Sequence, residues 1–388
     1  MRMKPIRRVV LLLAVLSLAC GVGCCSLLRV PFQRRAIRKG LLETRSHGQG
    51  RLAPRGNIPV LHLYGTPEQM GEQYGTILRG PLRALDGMLS GVLPKGYRER
   101  YVAFAIAHEQ TLPDQLRREV RAISQAAGIP YEHLLALNTV PRMRCSALAV
   151  WGQGRGDQGL IMGRNAEYFD LGLGDRASIL IVRHPAGGMA HADVNMLGMV
   201  GAFTGINEEG VAFGNMLVFN ARDDRVQADG MPIQAALRLA AERSGTAEEM
   251  CELLRSQTHM IPMNVMVSDD KEALVVELAP GDSTMRRGRG GVLAASNYFL
   301  SPETRAHQVE CERYAALVAS AEARDGGFGV EDMKGALRSA RLERLNLHAV
   351  IFEPVAMRMH LSINRVPATG GPYTVIDVRE LLAVPPEQ

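Results

Sequence analysis

Aromatic residues are scarce in this chain: they make up 5% of its 388 residues, with a single tryptophan, Trp151. Acidic residues are absent from the first 39 positions, where nine Arg or Lys are found. The formal net charge of +5 is concentrated there, and the remainder is near neutral. These charges flank an apolar stretch rather than a folded face, which points away from nucleic acid and toward membrane targeting. Cysteine is sparse too. Cys20, Cys24 and Cys25 lie in the leader, leaving Cys145, Cys251 and Cys311. An odd number excludes a complete disulfide framework, and Cys145 is the thiol expected to stay free. Metal-ligand spacing is missing: His191 and His259 are isolated, and no metal or cofactor is expected. GRGG at 288–291 precedes no helix, which argues against a phosphate loop.

With 46% hydrophobic and 22% charged residues the composition is that of a globular protein, long enough for one large domain or two. Residues 9–28, VVLLLAVLSLACGVGCCSLL, carry no charge and follow the basic residues Arg2, Lys4, Arg7 and Arg8. Twenty helical residues reach about 30 Å, enough to cross a bilayer core. The expectation is export to the cell envelope, by a cleaved signal, a lipidated cysteine or a retained anchor. Residues 29–58 are rich in Arg, Gly and Ser and read as a tether. Residues 67–143 have helical periodicity, with Met70, Tyr74, Ile77 and Leu78 on one face and Leu116, Val120, Ile123 and Ala126 on another. Gly128-Ile129-Pro130 breaks the run. The domain reading is thus 1–28 leader, 29–58 tether, 59–144 helical pro-segment and 145–388 catalytic domain.

From Cys145 the pattern changes. Short apolar runs at 146–150 and 160–162 flank GQGRGDQG, a hairpin signal. Further strands are expected at 179–182, 211–213, 265–267, 273–276, 291–295, 349–352 and 357–363. Asp269-Asp270-Lys271 reads as a hairpin turn. Helices are expected at 231–243 and 246–255. Strands in runs with helices in pairs indicate an α+β layered fold.

Cys145 heads the first of these strands, directly after PRMR. Were the chain cut before it, one residue would supply both a thiol and an α-amine of reference pKa about 8, close enough to neutrality to act as base. Arg164 stands at the end of the next strand, where a cation beside the thiol favours the thiolate. Glu167 follows three residues later and has two readings, holder of the α-ammonium or partner of the arginine. Asn215, at the end of the strand after GINEEG, can donate to an oxyanion. Asn297 can be a second such donor or an orienting group. Arg313 falls in an expected helix.

In order and spacing, GTPEQMGEQYGTILRG, ISQAAGIPYEHLLALN, CSA, GRNAEY, FTGINEEGVAFGNM, NVMVSDDKEALVVEL, AASNYF and HAVIFEPVAMRMHLS resemble the acyl-coenzyme A:6-aminopenicillanate acyltransferase family of cysteine N-terminal-nucleophile (Ntn) hydrolases. Acid ceramidase and the bile-salt and penicillin V amidases are more distantly similar. The resemblance runs over roughly residues 61–376. It implies a four-layer αββα sandwich with a preceding helical pro-segment and autocatalytic cleavage between Arg144 and Cys145. It also implies Cys145 as nucleophile, with Arg164, Glu167, Asn215, Asn297 and Arg313 as site residues. The chain departs from the pattern at Glu167, where Asp is common, at Ser296 in place of Thr, and at Tyr298 in place of His. The implied reaction is hydrolysis of an N-acyl amide or ester through a thioester acyl-enzyme, with acyl transfer to an amine as the alternative. A non-catalytic envelope protein binding lipid or peptide is the rival outside enzymology. The two fragments are expected to stay associated. Met162, Met196 and Phe203 are candidates for the acyl pocket, though such residues also serve as core.

Overall fold

The computed structural model describes residues 24–139, 144–168, 176–324 and 326–387. The leader expected over residues 1–28, Cys20 included, lies almost wholly outside them. No helix among the described residues is long and apolar enough to cross a membrane.

In chain order the regular elements begin with helix α1 (Cys24–Leu41), short strands β1 (Arg45–His47) and β2 (Gly50–Leu52), and β3 (Val60–Gly65). Five helices follow: α2 (Pro67–Ile77), α3 (Arg79–Val92), α4 (Lys95–Ala107), α5 (Asp114–Ala127) and α6 (Tyr131–Leu137). Local sequence explains their limits. Thr66 and Gln69 form a capping box at the start of α2 with Pro67 behind it, and Gly128 ends α5 at φ 67°. Helix α2 packs closely on α5 through two glycines one turn apart. A Cβ at Gly71 would lie 2.5 Å from the Glu119 carbonyl oxygen, and one at Gly75 would lie 2.7 Å from that of Ile123. The helical faces read from periodicity are the buried ones, except that Ala127 rather than Ala126 is buried.

The segment read as a tether is instead structured. Ile37 and Leu41 of α1 are fully buried, and β1 and β2 pair with each other. Nor is the next segment purely helical. Strand β3 pairs in parallel with β6 (Ser178–Pro185), Val60 opposite Leu180. The polar composition of residues 29–58 hid these elements because their burial comes from α3 and β3, not from a local periodic pattern.

The half from Arg144 onward opens with β4 (Arg144–Val150) and β5 (Ile161–Glu167), joined by the expected hairpin. Then come β6, β7 (His191–Met196), β8 (Thr204–Asn207), β9 (Ala212–Leu217), α7 (Ile233–Ala241) and α8 (Ala247–Arg255). Strands β10 (Met263–Ser268), β11 (Ala273–Leu278), β12 (Thr284–Arg287) and β13 (Val292–Ala295) precede α9 (Glu312–Glu322) and α10 (Val330–Ser339). The chain closes with β14 (Asn346–Glu353), β15 (Arg358–Ser362), β16 (Thr374–Asp377) and α11 (Val378–Leu382).

Two sheets result: a ten-stranded one ordered β1-β2-β3-β6-β7-β8-β9-β10-β11-β12 and a six-stranded one ordered β13-β4-β5-β14-β15-β16. Their inner faces enclose one apolar cluster that includes Cys145, Ala147, Met162, Phe203, Met216 and Val350. Helices α7 and α8 cover the outer face of the large sheet, and α9 and α10 that of the small one. The fold is α+β, with two facing sheets between helices. Strands β10 and β11, buried on both faces, are mostly apolar, with Asn264, Ser268 and Glu277 as their buried polar residues. Cys145, Cys251 and Cys311 are all free thiols.

Candidate active site

The β4–β5 register places the central residues. Cys145 lies opposite Ala166, and Ala147 opposite Arg164. Alternation puts Cys145 and Arg164 on the same inner face as diagonal neighbours, within reach of a long side chain. Arg164 Nη2 donates to Cys145 Sγ at 3.0 Å and to the Asn215 carbonyl oxygen at 2.7 Å, and its Nη1 donates to Thr204 Oγ1. The guanidinium thus spans both sheets, and neither Cys145 nor Arg164 is exposed. Burial pushes the Cys145 thiol up, and the Arg164 charge is the largest influence opposing it. Desolvation wins over the cation. His348, also on the small sheet, donates to or accepts from Ser178 Oγ at 2.8 Å, and burial takes it down to about 3, so it is neutral.

Glu167 is three residues after Arg164, an odd offset that turns its side chain to the other face of the strand. There it meets Arg313 Nη2 from α9 and accepts from the Leu342 N–H. Of its two expected roles, only pairing with an arginine is realised here, and the arginine is Arg313 rather than Arg164. Burial pushes its carboxyl up to about 7 despite the opposing charge of Arg313.

Asn297 joins the two faces. Its Oδ1 accepts from the Cys145 N–H at 3.1 Å and from Arg313 Nη1 at 2.9 Å. Its Nδ2 is taken up by the Leu217 carbonyl oxygen at 2.6 Å. Asn297 is therefore an orienting acceptor for Cys145, with one of its two amide protons committed to Leu217. Asn215 differs. Its Oδ1 accepts from Arg164 Nη2 at 3.4 Å, while its Nδ2 meets the Met263 thioether at 3.9 Å, a weak acceptor. All six residues singled out from the sequence are brought into one connected cluster. Arg144 is exposed, its guanidinium carbon 5.1 Å from the centroid of the Phe219 ring.

Sequence reasoning missed three supports. Thr204 anchors Arg164. Asn264 donates from Nδ2 to the carbonyl oxygens of Ser296 and Tyr298, each at 3.0 Å, and so clamps the segment on either side of Asn297. Gly214 leaves room for Arg164, since a Cβ there would lie 2.4 Å from Arg164 Cδ. Polar residues inside apolar strands were the available signal. Met162, Met196 and Phe203 lie in the inter-sheet cluster with Cys145. Among the described residues no group of His, Cys, Asp and Glu is arranged to hold a metal ion.

Residues 154–318 match the model of the family described as acyl-coenzyme A:6-aminopenicillanic acid acyl-transferase. The resemblance read from the motifs is borne out over that stretch, which holds Arg164, Glu167, Asn215, Asn297 and Arg313 and begins after Cys145. Protein dcd1B of Dictyostelium discoideum is 26% identical over 231 residues, covering 50% of this chain and 45% of that protein. An uncharacterized protein of Archaeoglobus fulgidus is 21% identical over 265 residues, covering 58% of this chain and 43% of that protein. The chain spans less than half the length of these two curated relatives. Among solved structures, the Caenorhabditis elegans ortholog of N-acylethanolamine-hydrolyzing acid amidase is similar at 16% identity and a TM-score of 0.44, covering 54% of this chain and 93% of that one. Penicillin V acylase from Agrobacterium tumefaciens is similar at 12% identity and a TM-score of 0.45, covering 61% and 87%.

Proposed function

We propose that the chain is an Ntn amidohydrolase, cut before Cys145 and acting on an N-acyl amide or ester. One observation carries the reading. The thiol and the nitrogen of a single buried residue are each engaged by a polar partner, Arg164 at 3.0 Å from Sγ and Asn297 Oδ1 at 3.1 Å from N. Burying a guanidinium and an amide around a thiol costs free energy that an apolar core would not require, so the arrangement speaks for chemistry.

After the cut, the α-amine of Cys145 keeps Asn297 Oδ1 as its acceptor and takes the thiol proton. The thiolate, its charge matched by Arg164, attacks the acyl carbon. Asn215 Nδ2 donates to the oxyanion. The C–N bond breaks, the leaving amine takes the proton from the α-ammonium, and water resolves the thioester. Glu167 and Arg313 hold Asn297 in place from the outer face. The apolar leader supports an exported, envelope-located enzyme, which favours hydrolysis over transfer from a coenzyme A thioester. The β3–β6 pairing supports fragments that remain together after the cut.

Intact-mass analysis of purified protein tests the reading. Two co-purifying fragments are expected from the wild type and one uncut chain from Cys145→Ala. In cut protein, a library of N-acyl amides should acylate Cys145 ahead of Cys251 and Cys311. Equal cutting of Cys145→Ala without added protease, or equal labelling of Cys145 and Cys251, overturns it.

A further inference from the structure

We propose that the exposed ring of Phe219, flanked by Tyr298, is the acyl-side subsite and selects acyl chains long enough to reach it. The inference rests on the nucleophile reading above and adds the substrate class.

The self-cleavage chemistry identifies which side of the bond this surface serves. Cys145 Sγ attacks the carbonyl carbon of Arg144. A C–S bond forms, the C–N bond to Cys145 breaks, and the thiol proton passes to the freed nitrogen. Water then adds to the thioester, releasing the Arg144 carboxylate and restoring the thiol. The first acyl group that Cys145 carries is therefore the chain ending in Arg144, and what the Arg144 side chain touches lies on the acyl side.

That surface is aromatic. The Arg144 guanidinium carbon sits 5.1 Å from the Phe219 centroid, in cation–π range. Phe219 is 45% exposed, and its ring meets Tyr298 edge-on with centroids 6.3 Å apart. Both residues are tied to the segment that carries Asn297. The Phe219 N–H donates to the Asn297 carbonyl oxygen at 3.0 Å, and the Tyr298 carbonyl oxygen accepts from Asn264 Nδ2 at 3.0 Å. The ring is thereby fixed relative to Asn297, which touches the Cys145 nitrogen.

Covalent connectivity sets the reach. Counted from the carbonyl carbon, the guanidinium carbon of an arginine is roughly the seventh atom along the chain. An acyl group of about seven or more carbons reaches the ring face, and a butanoyl group stops short. The subsite thus suits medium-chain or longer alkanoyl amides, and arylalkanoyl amides whose ring falls at the same distance.

The test is a series of N-acyl aminomethylcoumarins, butanoyl to decanoyl, assayed on cut wild type, Phe219→Ala and Phe219→Leu. In the wild type kcat/KM is expected to rise roughly tenfold from butanoyl to octanoyl. Phe219→Ala should bring that ratio close to one, and Phe219→Leu should give an intermediate ratio. The leucine variant keeps an apolar side chain, so it reports even if the alanine variant folds poorly. An unchanged ratio in both variants, or equal losses at every chain length, overturns the subsite while leaving the nucleophile reading intact. A wild type that hydrolyses none of the series and acquires no acyl group at Cys145 overturns both.

Discussion

Gly214→Ala is the sharpest test of how the thiol is tuned, because it adds one methyl group against one charged side chain. The new Cβ would lie 2.4 Å from Arg164 Cδ and 3.0 Å from its Nε. Carbon atoms rest at about 3.5–4.0 Å, so Arg164 must retreat by roughly 1 Å. Its anchors resist: Nη1 on Thr204, and Nη2 on the Asn215 carbonyl at 2.7 Å and on Cys145 Sγ at 3.0 Å. If the guanidinium moves from 3.0 Å to about 4 Å from the sulfur, the attraction at an effective dielectric near 20 falls from about 5.5 to about 4.2 kcal/mol. The difference is about one pKa unit, in the direction burial already pushes the thiol. Iodoacetamide alkylation of Cys145 in cut protein, followed by peptide mapping across pH, should show an apparent pKa about one unit higher than wild type. Self-cleavage should slow about tenfold. Overpacking itself costs about 1–3 kcal/mol, so Gly75→Ala is the control, its Cβ 2.7 Å from Ala126 Cβ and from the Ile123 carbonyl oxygen and remote from the thiol. That variant should lose stability with the thiol titration of the wild type. Wild-type alkylation and cleavage in Gly214→Ala would refute Arg164 as the tuning charge.

Two further outcomes bear on the outer face and the body. Glu167 has its carboxyl raised to about 7 from an unfolded value of 4.5, so the folded chain binds this proton more tightly than the unfolded chain. Stability from this group is full below about pH 4.5, declines as pH rises, and is lost above about pH 7, a loss on the order of 3 kcal/mol. Glu167→Gln should flatten that part of the pH dependence in urea titrations between pH 4.5 and 8, and an unaltered slope would remove Glu167 as its source. Glu119 on α5 is fully buried with Oε2 3.4 Å from Arg238 Nη2 and Oε1 3.9 Å from Arg183 Nε. Glu119→Ala leaves those buried cations short of a counter-charge and should cost about 3–5 kcal/mol, read as a lower urea midpoint; a shift below about 0.5 kcal/mol would show that Asp193 and Glu242 suffice for the two arginines.

Much of the half from Cys145 onward was legible because many of its strands are apolar runs closed by Gly, Asn or Asp turns. The 145–167 hairpin and the Asp269 turn between β10 and β11 follow from that punctuation. Strand β7, HADVNM, escaped notice because Asp193 and Asn195 break its apolar pattern, and both are buried in partnership with Arg183 and the Gly201 carbonyl oxygen. Strands β1, β2, β12 and β16 have three or four residues each, too few for periodicity to register. Site residue types were visible, but the face of each depended on strand parity. The offset of three from Arg164 to Glu167 places the two side chains on opposite faces of β5.

The two halves of the chain are interleaved, and this bears on what a cut can accomplish. Strand β3 sits between β2 and β6 in the large sheet, so its hydrogen bonds join the segment before Cys145 to the segment after it. The C-terminal stretch ties back on the same edge: Tyr64 Oη donates to the Val384 carbonyl at 2.6 Å, and the Glu387 N–H donates to the Gln49 carbonyl at 3.2 Å. A break between Arg144 and Cys145 severs none of these. Its immediate physical effects are confined to the strand end, where an exposed residue and a fully buried one are adjacent. It frees Arg144 to leave the Phe219 ring, and it converts the Cys145 amide into an amine still facing Asn297 Oδ1. Self-cleavage, on the proposed reading, is thus a local chemical change in a body whose architecture needs both fragments, and the stretch before Cys145 acts as a permanent part of the enzyme rather than a removable cover.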